Sequence, residues 1–135
     1  DPGPASYGRG GRAPTVTDAV ALPTALYQVP NLKTVDLSWA GRLRTGHLSL
    51  AAISAAKVGD PVHISRDGPS WIIQDEQGQT LGRMARSWSP PEDLSFLRGE
   101  VGAIVRWRKS DNQEEFRARL HQDVWETIVP ELVFG

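Results

Sequence analysis

This sequence predicts a mainly β fold: a small, partly closed antiparallel β-barrel of about six strands, with one short α-helix and a disordered N-terminal lead. Three observations carry that expectation. Residues 58–85, VGDPVHISRDGPSWIIQDEQGQTLGRMA, hold strand signals separated by two reversals, and read as a β-meander. Period-two alternation returns after residue 100 and persists almost to the end of the chain. The turn signals recur at intervals of about eight to twelve residues, the spacing of a barrel or sandwich, and closure removes edges that would otherwise pair with other molecules.

In order along the chain, residues 1–17 carry Pro2, Pro4 and Pro14 among Gly3, Gly8, Gly10 and Gly11. They have too little apolar surface to offset the entropy of ordering, and read as a flexible linker in which Arg9 and Arg12 faintly echo an RGG-type tail. Residues 18–47 form an extended or irregular lead, since Pro23 and Pro30 interrupt any helix there. Within it Val35, Leu37 and Trp39 alternate with polar neighbours, a possible first strand ending at Gly41. The barrel domain proper is expected over residues 48–135. Ser49 caps a short helix through Leu50, Ile53, Ala56 and Lys57, with Gly59 at the left-handed position beyond its end.

In the meander, Val62 and Ile64 alternate with His63 and Ser65, and Asp67-Gly68-Pro69 makes the first reversal. Trp71, Ile72 and Ile73 suit a pleated surface, and the turn through Gly78 leads to Leu81, Met84 and Ala85. Pro90-Pro91 then breaks the sheet. Leu94 to Gly99 reads as a turn of helix, and a long strand follows with Val101, Ala103, Val105 and Trp107 on one parity and Arg106 and Arg108 on the other. Ser110 to Gln113 reads as a hairpin turn, Phe116, Ala118 and Leu120 as the inward side of a returning strand, and Val124 to Val129 as the last strand, stopped by Pro130. The apolar end PELVFG is expected to dock on the barrel.

Length and composition narrow the function classes. At 135 residues, 39% apolar and 23% charged, the chain is one soluble-type domain plus a tail. No apolar run is long enough to cross a bilayer and no secretory leader opens the chain, so a cytoplasmic location is expected. The first residue is Asp1, not methionine, and we expect a fragment of a longer protein. With no cysteine, disulfide frameworks and thiolate metal sites are excluded. His47, His63 and His121 lack ligand spacing, so no metal is expected. Ser70, Ser87 and Ser89 lack a nucleophile elbow, and Gly78 to Arg83 lies in a hairpin rather than before a helix. The carboxylate pairs Asp75/Glu76, Glu92/Asp93 and Glu114/Glu115 fall at turns and read as solvated charge. Neither a cofactor nor an enzymatic centre is expected.

Binding through a basic and aromatic surface has more support. Residues 83–120 hold eight basic against six acidic residues, and the parity of the strands concentrates the former. Arg106 and Arg108 share one strand face, Arg117 and Arg119 the next, so that pairing across the Asp111-Asn112 turn predicts a four-arginine ladder whose repulsion phosphate would relieve. Of the five tryptophans, Trp71, Trp107 and Trp125 fall inside strands and are expected to fill the barrel. Trp88 stands in the loop before Pro90-Pro91, near Arg83 and Arg86, where it suits either stacking on an unpaired base or packing on the prolines.

A likeness then adds to this reading. Gly59-Asp60-Pro61-Val62, Trp71 through Asp75 with Gly78, the run Leu81-Gly82-Arg83-Met84-Ala85-Arg86, Pro90-Pro91, Val101-Gly102-Ala103-Ile104 with Arg106, and Trp125 to Phe134 occur in that order. Over residues 48–134 the chain resembles the extreme C-terminal region of the longer bacterial RecQ-family DNA helicases; more loosely, it resembles HIRAN domains, small barrels that hold a DNA end. The helicase engine is missing, since there is no phosphate-loop motif and no Asp-Glu-x-His box, as are the cysteines of that family's zinc region. The resemblance implies a non-catalytic accessory domain serving DNA repair and recombination, with the parent helicase core as a partner in cis. Single-stranded or junction DNA would bind through Arg83, Arg86, Trp88, Arg106, Arg108, Arg117 and Arg119. The rival expectation is a protein-interaction barrel docking on the helicase or a repair partner through Leu132, Val133 and Phe134.

Overall fold

The computed structural model describes residues 24–135; the expected linker of residues 1–17, with Arg9 and Arg12, and residues 18–23 lie outside the described residues. Among the described residues six strands form a single antiparallel sheet: β1 (Leu26–Gln28), β2 (Pro61–Asp67), β3 (Ser70–Gln74), β4 (Thr80–Arg83), β5 (Phe96–Arg108) and β6 (Val124–Phe134). Their spatial order is β1-β6-β5-β2-β3-β4, and the sheet does not close by a backbone ladder. Helix α1 (Leu48–Ala55) spans two turns and α2 (Glu114–Arg117) one. No described helix is long and apolar enough to cross a membrane.

The meander forms where turn chemistry and alternation agree. Gly68 and Gly78 sit at φ 60° and 82°, the left-handed region that a side chain would strain. Asp75 fixes the second reversal by accepting the backbone N–H groups of Gln77 and Gln79, both at 2.9 Å. Ile64 faces Ile73 across β2 and β3, and Ile73, Leu81 and Val62 enter the core. α1 closes over the sheet with Ile53 and Ser49 buried; its cap is His47, whose Nδ1 accepts from the Ser49 N–H at 3.1 Å, and not Ser49 itself. Gly59 has the expected left-handed φ, 95°.

Elsewhere tertiary partners override the local pattern. β1, followed by Pro30, pairs with the end of β6 from Leu26↔Phe134 to Gln28↔Leu132. Val35 and Ala40 lie in the core, so the domain starts before residue 48. Residues 35–39 are not a strand: Val35 makes one isolated bridge to Met84 and the chain then turns through Ala40–Arg42. Leu94 to Gly99 does not form a turn of helix, because Phe96 already opens β5. β6 runs through Pro130 to Phe134, since Pro130 lies opposite a bulge at Val101/Ala103 in β5, where a missing N–H costs little. Leu132, Val133 and Phe134 are thereby buried in the core, which corrects the expectation that they form an apolar docking surface.

The largest correction concerns residues 116–121. They do not return as a strand against β5; Glu114 to Arg117 form α2, and β5 pairs instead with β6, placing Arg106 opposite Glu126 and Arg108 opposite Val124. Two carboxylates in the first turn and an arginine in the last suit the helix dipole. Of the expected inward set, only Leu120 is buried, while Phe116 is 51% exposed. Trp125 is buried, whereas Trp71 and Trp107 are half-buried partners at the core's margin.

Segment 34–37 brings the open sheet close to a barrel. The Ala85 N–H donates to the Thr34 carbonyl and the Asp36 N–H to the Arg83 carbonyl, each at 2.8 Å, covering the outer edge of the β4 region. The next carbonyl, of Leu37, accepts from Trp125 Nε1 at 2.9 Å and Thr127 Oγ1 at 2.7 Å on β6. A Cβ at Gly41 would lie 2.7 Å from the Trp125 indole, so this approach needs glycine. Gly41→Ala is expected to destabilise the fold by about 1–3 kcal/mol through overpacking. Phe134→Ala, emptying a site that is 1% exposed, should cost about 3–5 kcal/mol. Urea denaturation of both variants checks these values, and a wild-type midpoint for Phe134→Ala would return the C-terminus to the surface.

Candidate nucleic-acid interface

Among the described residues an open cleft of about 690 Å³ lies between segment 35–42, the chain leaving β4, and the connection that carries α2. Arg42, Arg83, Arg86 and Arg119 line it with a single carboxylate, Asp36. Each arrives by a different route. Arg83 ends β4, and Arg86 follows in the turn where Trp88 N–H donates to the Ala85 carbonyl. Arg42 ends the turn Ala40–Arg42, and Arg119 precedes Leu120, whose burial pulls that part of the connection onto the core.

Asp36 organises the floor. Its Oδ2 accepts from Arg42 Nη2 at 2.6 Å and from Arg83 Nη2 at 2.8 Å, and its Oδ1 accepts from Arg42 Nη1 at 3.2 Å. Arg42 Nη1 also donates to Ser38 Oγ. Half-burial pushes the Asp36 carboxyl upward, but the hydrogen bonds and charges of Arg42 and Arg83 outweigh it and hold the group below its ordinary value. Among the described residues Arg86 and Arg119 have no carboxylate partner, and both are exposed. One negative charge thus stands among four positive ones, and the cleft carries a net positive field.

The arginines expected from sequence are redistributed. Arg83, Arg86 and Arg119 come together in the cleft. Arg106 and Arg108 remain on one strand face without the expected arginine ladder. Arg106 lies 3.9 Å from Glu126, and Arg108 Nε donates to Asp111 at 3.3 Å. Arg117, half-buried, donates to the carbonyls of Asn112 and Ser110, at 2.9 and 3.2 Å, and braces the connection. Trp88 belongs to a separate hollow: it packs edge-on against Trp71 at 6.2 Å, and its Nε1 donates to Gln28 at 3.3 Å. Its ring thus packs on another ring, in a hollow whose lining does not include Arg83 or Arg86.

Arg42, Asp36 and Phe116 join the site without having been expected there. A signal existed for Asp36, which is the lone carboxylate between Asp18 and Asp60 in a stretch containing Lys33, Arg42, Arg44 and Lys57. Nothing in residue spacing marks Phe116, since its position follows from the helical connection. Among the described residues no group of three or more histidine, aspartate or glutamate side chains is placed to hold a metal ion.

No protein-family model, no curated protein and no solved structure matches the chain.

The Asp36 cluster yields a pH prediction. Because the folded state holds the carboxyl below its ordinary value of 3.8, the folded chain binds that proton more weakly than the unfolded chain. The resulting stabilisation is fully present above 3.8 and is lost as the pH falls through the lower folded-state value. Arg83 is partly solvated, so Asp36→Asn should cost only about 1 kcal/mol at neutral pH. Urea denaturation across the acid range should show the two proteins converging below that window; a constant difference would remove the charge explanation.

Proposed function

We propose that this domain is a non-catalytic nucleic-acid-binding module, acting in the cytoplasm, that holds single-stranded or junction DNA in the arginine cleft. The observation that carries this reading is the convergence of Arg42, Arg83, Arg86 and Arg119 around one open trough. Guanidiniums suit phosphate because they present several donors in a fixed plane and are weakly hydrated. Several of them along a trough suit a repeating anion better than a single one, because each phosphate neutralised releases condensed counterions. The sequence likeness to the C-terminal region of RecQ-family helicases supports the same direction, with a helicase core as partner in cis and roles in DNA repair and recombination. In such an assembly the motor would supply ATP-driven movement, and this domain would retain the strand.

Arg83 and Arg86, expected as a corner of the interface, keep that role here, joined by Arg119 and Arg42. Arg106 and Arg108 flank the neighbouring strand face as a weaker, partly neutralised extension. Arg117 and Trp88 serve the scaffold.

If four phosphates are contacted, affinity for a labelled single strand should fall about fifty-fold between about 50 and 200 mM salt. Arg86→Ala combined with Arg119→Ala should weaken binding and reduce the salt slope by about 0.7 per arginine removed. Fluorescence anisotropy measures both. Binding that ignores salt, or a double variant indistinguishable from wild type, would dismiss the cleft as the interface.

A further inference from the structure

We infer that Phe116 is a stacking platform that makes the cleft select unpaired nucleotides over duplex DNA and simple polyanions, an inference resting on the nucleic-acid reading above. Phe116 is 51% exposed and lines the same trough as Arg86 and Arg119. An exposed ring by itself is unremarkable on a protein surface. What distinguishes this one is the combination of a held backbone, an uncovered apolar face and neighbouring guanidiniums without carboxylate partners among the described residues.

The backbone is held from several directions. Arg117, the next residue, donates to the Asn112 and Ser110 carbonyls at 2.9 and 3.2 Å. Beyond α2, Leu120 is buried and the N–H groups of His121 and Gln122 both donate to the Gly41 carbonyl, at 2.7 and 3.0 Å. The ring therefore projects from a braced connection, and little further ordering is needed when a ligand covers it.

The ligand's chemistry follows from the two kinds of group present. The ring offers a flat face for another flat group, and the arginines offer donors for phosphate. An unpaired nucleotide presents both, with its base free to leave the stack. A duplex presents phosphate while its base faces are already stacked, and polyphosphate has no face at all. Trp88 does not compete for this role, because its indole is already packed on Trp71 and hydrogen-bonded to Gln28.

Anisotropy of the 135-residue chain with labelled oligothymidylate, a duplex of equal length, and inorganic polyphosphate as competitor tests this. Phe116→Ala should weaken single-strand binding about tenfold or more. Duplex binding and displacement by polyphosphate should stay unchanged. Phe116→Trp should restore single-strand affinity and Phe116→Leu should not, which separates stacking from apolar bulk; melting curves confirm that each variant is folded. Wild-type single-strand affinity in Phe116→Ala or Phe116→Leu, or failure of Phe116→Trp to restore it, overturns the inference. The arginine cleft would survive that result provided Arg86→Ala with Arg119→Ala still weakens every DNA form. Loss of the arginine effect would instead sink the underlying reading.

Discussion

The Leu37 carbonyl is the point on which the rest of this structure depends. Two side chains of β6, the Trp125 indole and the Thr127 hydroxyl, donate to that one oxygen, while the residues just before it pair with the chain around Arg83. A six-stranded sheet ending in short strands would leave an exposed edge at β4. Segment 34–37 covers that edge and ties it back to β6, so the sheet acquires a barrel's protection without a barrel's continuous ladder. Closure through side chains demands exact contact nearby, and that is where Gly41 meets Trp125 without room for a Cβ.

The same segment builds the candidate site. Once Leu37 and the backbone of Asp36 are fixed, the Asp36 carboxylate must face the end of β4, where it draws in Arg83 and then Arg42. Fold closure and charge convergence are therefore one event. The chain as a whole has a formal net charge of −1, yet its charges are sorted in space. Asp60, Asp75 and Glu76 line a second hollow beside α1 in which, among the described residues, no cation takes part, while Arg42, Arg83, Arg86 and Arg119 gather in the larger cleft. For a ligand approaching the surface the local field matters, and the sum over the sequence conceals it.

What could be read in advance follows from the range of the forces involved. The meander was legible because Gly68, Gly78 and Asp75 settle its turns locally, and alternation then fixes its faces. α1 was legible within a residue or two, although a histidine supplies the cap. Residues 116–121 misled because Phe116, Ala118 and Leu120 alternate as a strand would. Their backbone bonds locally instead, Phe116 N–H to the Gln113 carbonyl and Leu120 N–H to the Arg117 carbonyl, and the N–H groups of His121 and Gln122 that follow go to the carbonyl of Gly41, which lies far away in sequence. β1 was hidden because three residues between prolines carry almost no pattern, and become a strand only beside the end of β6. Pro130 looked like a terminator and is tolerated because the partner strand bulges opposite it. Arginines 42, 83, 86 and 119 converge through such long-range contacts, so the cleft was invisible while its components were not.

The sharing of one carboxylate by two arginines also divides the labour within the cleft. Arg42 and Arg83 already have a partner, and a phosphate reaching them must compete with Asp36 at 2.6 and 2.8 Å. Their gain from an incoming anion is consequently smaller than that of Arg86 and Arg119, which are solvated and face no carboxylate among the described residues. Removing Asp36 altogether would leave two half-buried guanidiniums repelling each other, so the carboxylate is what permits so much positive charge to be assembled before any ligand arrives. On the proposed reading the inner pair sets the position and shape of the trough, and the outer pair with Phe116 supplies the response to what enters it. A site arranged this way keeps its geometry when empty and still leaves unsatisfied donors for a phosphate backbone to meet.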